Sequence, residues 1–166
     1  MRSIIWIPCA IALALALGMV AQSARRSRGE KHGPRVTGVG GFFFKAQHRA
    51  KFADWYRVHF GIAVEPAAKG ENTPQFHPFE WREKNHPDRN GLTLLSIFPV
   101  DAEYFAPSSA AFMTNFRVAN LDRVLAQLRQ VGAKVDDKID DGSNGRFSWA
   151  MDPEGNRIEL WEPQGE

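Results

Sequence analysis

The chain has 166 residues, of which 43% are hydrophobic, 24% charged and 11% aromatic. That is a globular composition, which excludes disordered and fibrous classes. With 21 Lys and Arg against 19 Asp and Glu the net charge is +2. No basic stripe interleaved with aromatics runs through the body, so a nucleic-acid footprint is not expected. One cysteine, Cys9, leaves no route to an intrachain disulfide or a Cys-based zinc site.

Ile4 to Ala21 is an uninterrupted apolar run behind a short start containing Arg2. A signal peptide has this form, and Ala21-Gln22-Ser23-Ala24 offers small residues for cleavage. A retained membrane anchor is a second reading, because Arg25, Arg26, Arg28 and Lys31 follow the run. A start at Met19 is a third, and would leave a cytoplasmic chain. The expected organisation is a signal peptide or anchor over 1–24, a polar linker over 25–34 and one domain over 35–164.

Val36 to Lys45 opens Val-Thr-Gly-Val-Gly-Gly and continues Phe-Phe-Phe-Lys. It predicts a buried strand whose glycines allow close backbone approach. No helix follows Gly41 at once, so a phosphate loop is not expected. His48 to Phe60 predicts a helix with Phe52, Trp55, Tyr56, His59 and Phe60 on one apolar face, closed by Gly61. Ile62 to Val64 predicts a short strand. Phe76 to Glu83 alternates, residues 85–91 carry turn chemistry, and Leu92 to Phe98 reads as a strand. A connector spans Asp101 to Ala110.

Phe112 to Val118 predicts the next strand. Asn120 is a good N-cap, and Leu121, Val124, Leu125, Leu128 and Val131 make a helix stripe closed by Gly132. Ala133 to Val135 predicts a short strand and Asp136 to Asn144 a polar loop. Arg146 to Met151 and Arg157 to Glu162 form a hairpin around Asp152-Pro153-Glu154-Gly155-Asn156. The element order occurs twice, with Gly61 answered by Gly132 and Phe98-Pro99 by Glu162-Pro163. Each half alone is too small to bury much core. Paired, two half-sheets would curl around a shared concavity, the natural place for a ligand.

This duplicated βαβββ order resembles the vicinal oxygen chelate superfamily, which includes glyoxalase, bleomycin-resistance and extradiol dioxygenase proteins. The resemblance rests on residues 40–46, Trp55-Tyr56, Asn115-Phe116-Arg117-Val118 with Asn120-Leu121-Asp122, and above all residues 151–163. It implies an α+β fold, with modules of about 35–100 and 110–164 forming a curved mixed sheet around a cavity. It also implies dimerisation, so a homodimer is expected. The superfamily holds a divalent metal with His, Gln or Glu from the first and last strands of each copy. Here Glu159 stands at one such place. The others fall on Leu95, Met113 and either Gly41 or Phe42. One carboxylate does not grip a hard cation, so no metal site and no cofactor are expected, and the superfamily's Lewis-acid chemistry loses its support.

Strand parity assigns the cavity face. If Ile158 and Leu160 pack under the helices, Arg157, Glu159 and Trp161 face inward, with Met113, Asn115 and Arg117. In the first copy Phe43 and Lys45 face in. Glu159 is the one candidate catalytic residue. Glu159 and Arg117 could instead satisfy each other and leave nothing to bind. The leading expectation is a metal-free module that binds a small aromatic or cationic ligand in the concavity. A glyoxalase-like lyase, isomerase or thiol transferase that recruits a metal through Glu159 is the alternative. An interaction domain tethered to a membrane by the N-terminal run is the third.

Overall fold

Seven strands form one mixed, curved sheet. The computed structural model describes residues 35–65, 73–84 and 86–164. Strand β1 (Val36–Ala46) leads into helix α1 (Arg49–Phe60), then β2 (Gln75–Glu83) and β3 (His86–Pro99). A 3-10 turn, η1 (Glu103–Phe105), follows in the connector. The second half runs β4 (Phe112–Val118), helix α2 (Leu121–Gln130), β5 (Asp140–Gly142), β6 (Gly145–Met151) and β7 (Arg157–Glu162). The sheet order is β2-β3-β1-β4-β7-β6-β5. In each half the first strand pairs parallel with the last, β1 with β3 and β4 with β7. The antiparallel β1–β4 pair joins the halves. This is the α+β architecture expected from the repeat. The N-terminal run, residues 1–34, lies outside the described residues. Among the described residues no helix is long and apolar enough to cross a membrane.

Alternation divides the core between the two sheet faces. On the outer face, Val118, Leu121, Leu125 and Leu160 are buried together, with Phe116, Val124 and Ile158 packed against them. Helix α2 therefore sits where its stripe predicts. Asn120 caps it, its side-chain oxygen accepting from Arg123 N at 2.9 Å. Burying Leu121 and Leu125 contributes about 2 kcal/mol each. On the inner face, Phe43, Phe98, Phe105, Met113 and Trp149 form a second buried group.

Four local expectations are corrected. The short strand expected at Ile62–Val64 does not form, its neighbour Glu65 making a single bridge to Phe76, and Ala133–Val135 shrinks to one bridge, Val135 to Ala150. Part of the supposed polar loop instead supplies β5, which closes a tight turn on β6 at Gly145, φ 114°. The turn chemistry of residues 86–91 lies within β3, because β2 and β3 stay paired to their tips, Glu83 opposite His86. The apolar face of α1 is not covered. None of its residues is buried, and Trp55 is 50% and Phe60 63% exposed. Phe52 stacks on Tyr56 and leans on Phe44 of β1, and only Phe52, Ala53 and Tyr56 of the 51–60 stretch are half-buried.

Candidate functional site

The inner face encloses a cavity of about 590 Å³. Its walls are apolar: Phe43 from β1, Leu92, Leu94 and Phe98 from β3, Phe147 from β6 and Trp161 from β7. Its polar floor is Glu159, Asn115, Ser96 and Tyr104. The sheet register builds this floor, because Asn115 stands directly opposite Glu159 across the parallel β4–β7 pair. The glycine-rich start of β1 makes room. A Cβ at Gly40 would collide with Asn115 Oδ1 and stand 2.8 Å from the Trp161 ring. The expected close backbone approach is at this point of β1, where the β1–β4 register also shifts.

Glu159 is 2% exposed. The Tyr104 hydroxyl donates to its Oε1, and Asn115 Nδ2 donates to its Oε2 at 2.5 Å. Burial raises its pKa above the usual carboxylate range, and the Tyr104 and Asn115 hydrogen bonds oppose that rise. Burial also pushes the Tyr104 phenol far above its ordinary value, and the neighbouring Glu159 carboxylate adds to the rise. Asn115 Oδ1 is buried without a hydrogen-bond partner. The indole Nε1 of Trp149, which stands opposite Glu159 across the β6–β7 pair, is a buried donor likewise without a hydrogen-bond partner.

Of the eight residues assigned to ligand binding from parity, Phe43, Asn115, Glu159 and Trp161 line the cavity. Met113 lies beneath it in the inner apolar group, 1% exposed. The three cations are held elsewhere. Lys45 Nζ sits 5.0 Å from the Phe105 ring centre. Arg117 pairs with Glu83 at 3.0 Å and lies over Trp81. Arg157 pairs with Asp136 at 2.7 Å, donates to the Ala106 carbonyl and covers Trp149. The anticipated Arg117–Glu159 pair does not form, because Glu83 takes the guanidinium.

Two ligand corners read from the sequence are displaced. Leu95 points away from the cavity, since Leu94 and Ser96 line it. Asn115, not Met113, faces Glu159. The corrected donor set is one carboxylate, the amides of Asn115 and Asn144, one serine hydroxyl and a phenol held strongly in its neutral form. A hard divalent cation needs more anionic oxygen than one carboxylate held above its usual range supplies. Among the described residues no three His, Cys, Asp or Glu side chains gather to hold a metal ion. These residues do not fit the superfamily's divalent metal.

Tyr104 was not anticipated. It sits in a connector with no strand or helix periodicity, and turn η1 carries it into the trough. Its ring stacks on Phe98 at 5.3 Å and meets Trp149 edge-on at 5.8 Å. Phe105, fully buried beside it, anchors the turn. The only sequence signal was the adjacent Tyr104-Phe105 pair, the two large apolar side chains of the connector.

A curved mixed sheet built from two such modules around an inward cavity defines a protein of the glyoxalase and bleomycin-resistance architecture. Residues 41–161 match the family model described as a glyoxalase-like domain. The chain belongs to this family, within the vicinal oxygen chelate superfamily that its sequence resembles. Among solved structures it is similar to a variant of Streptomyces coelicolor methylmalonyl-CoA epimerase in complex with 2-nitronate-propionyl-CoA. Identity is 18%, the TM-score is 0.57, and 79% of this chain and 100% of that one are covered. Methylmalonyl-CoA epimerase from Mycobacterium tuberculosis is similar at 20% identity and TM-score 0.52, covering 77% of this chain and 89% of that one. At such identities the likeness is one of fold. No curated protein matches the chain.

Proposed function

We propose that the chain binds a small, partly aromatic molecule in this cavity without a metal, for sequestration or recognition. The observation that carries the reading is the cavity's make-up. Among the described residues that line it, aromatic and aliphatic walls surround one buried charged group, Glu159, and Lys45, Arg117 and Arg157 are all engaged outside it. Apolar walls with a few convergent polar groups suit a small-molecule site. The same asymmetry disfavours anionic ligands, which would meet a carboxylate with no Lys or Arg among the described lining residues. It favours neutral or cationic ones, with stacking on Trp161 adding affinity.

Thermal melting of chelator-treated protein tests this. Toluene and p-cresol at about 100 times their dissociation constants should raise stability by about 2.7 kcal/mol. Leu94→Trp, which fills the cavity, should abolish the rise. Absence of any stabilisation by either probe refutes the proposal. A stoichiometric Ni, Zn, Mn or Fe content that disappears in Glu159→Ala would favour the lyase or isomerase reading. A homodimer and export through residues 1–24 belong to the proposal on sequence grounds. Sedimentation equilibrium and the intact mass of the mature chain test them.

A further inference from the structure

Both oxygens of Glu159 are occupied, Oε1 by Tyr104 and Oε2 by Asn115, and the residue is 2% exposed. A molecule that reaches this carboxylate must displace one of those donors. The two differ in how firmly they are held. Asn115 lies on the central strand β4 and is 3% exposed. Tyr104 rides on a single 3-10 turn and is 40% exposed. Its ring stands between two cavities, the one described above and a neighbour of about 660 Å³. Both are lined by Pro74, Phe98 and Tyr104. Because Phe105 is fully buried, the Tyr104 side chain can swing out without the connector leaving the trough.

The place Tyr104 fills is a slot for one aromatic ring. Phe98 stacks on one face with 14° between planes, Trp149 closes an edge, and the carboxylate stands at the far end. A ring without a donor would leave Glu159 short of a partner, a costly state for a buried acceptor. Asn115 Oδ1 has no donor even now. We infer that Tyr104 is a built-in stand-in for the ligand, and that the ligand's head is an aromatic ring bearing an O–H or N–H donor that takes Tyr104's place against Glu159. The inference rests on the cavity being a binding site, and it narrows the ligand class for that site.

Two probes separate the ideas: p-cresol, which has the ring and the donor, and toluene, which has the ring alone. Binding of each is measured by calorimetry to the full chain and to Tyr104→Phe, which removes the competing hydroxyl and keeps the ring. p-Cresol should bind the variant about tenfold more tightly than the wild type, as expected for a hydrogen bond to a charged group. Toluene should not change. If both probes bind and neither changes, or both tighten alike, the stand-in role is refuted while the cavity remains a binding site. If neither probe binds wild type or variant, the binding reading falls with it. The wild-type chain supplies an independent check should the variant misfold. It has two tyrosines, so the ring signals of ¹³C-tyrosine-labelled protein can be assigned with Tyr56→Phe. p-Cresol should move the Tyr104 signals to those of an exposed, mobile ring, and toluene, which leaves the hydroxyl on Glu159, should not. Tyr104 signals that respond to neither probe, or equally to both, overturn the inference.

Discussion

Glu159 is the residue on which the chemistry of the cavity turns, and its burial has a sign that can be tested. The folded state raises its pKa, so the folded chain keeps a proton that the unfolded chain has already released. Stability is therefore greatest below the unfolded value and falls as pH rises through it toward the raised folded value. Glu159→Gln has no proton to lose. The urea midpoint of the wild type should decline relative to Glu159→Gln as pH is raised from about 4; parallel curves would contradict the burial argument. Gly40 tests the floor from the other side. Gly40→Ala drives a methyl into Asn115 and Trp161, and should cost about 1–3 kcal/mol in chemical denaturation. Glu159, Asn115, Phe43 and Trp161 were legible from strand parity, since alternation is a local property of the chain. The partners of Arg117 and Arg157 were not. Glu83 and Asp136 reach them from other strands and loops, and no local pattern encodes that meeting.

At the scale of elements, the two helices behave differently for a physical reason. Helix α2 has a cap, an acidic first turn and an apolar stripe that the outer sheet face covers. Asn120→Ala removes the cap hydrogen bond and should cost about 1 kcal/mol, read as a lower thermal midpoint. Helix α1 has an aromatic stripe too, but a much less sharply segregated one, and no residue of it is buried. Periodicity reports that a face is apolar; it does not report what lies opposite. The short strands failed for a related reason. Ile62–Val64 and Ala133–Val135 have the right residue types, but the first found no strand partner and the second only one bridge. Turn η1 is the reverse case, a segment without periodicity that tertiary packing made structural.

Across the whole molecule, the inner apolar group draws on both halves and on the connector. Phe43 and Phe98 come from the first module, Phe105 from η1, and Met113 and Trp149 from the second. The halves also share the β1–β4 seam. A fragment ending at residue 100 would leave Phe43 and Phe98 uncovered and β1 with an open edge. It should show no cooperative thermal transition by circular dichroism, whereas the chain from residue 35 onward should melt as a unit. Independent folding of the fragment would show that the seam is dispensable. The cavity belongs to this same scale, because its floor joins residues of β3, β4, β7 and the connector, and the Tyr104–Glu159 hydrogen bond alone spans 55 positions.

Alternation, helix stripes, caps and the order repeated about 71 residues on are written in neighbouring residues. The sequence by itself therefore determined the two-module α+β fold, the inward parity of β4 and β7, and a lone carboxylate at the would-be metal corners. Only the tertiary structure decided that Tyr104 enters the trough, that Asn115 stands opposite Glu159 and Ser96 rather than Leu95 lines the cavity, and that every predicted cation is drawn out of it. Those outcomes depend on register between distant strands and on which charges meet across the fold. A one-residue change of register exchanges the two faces of a strand, and no local pattern of residue types can choose between them.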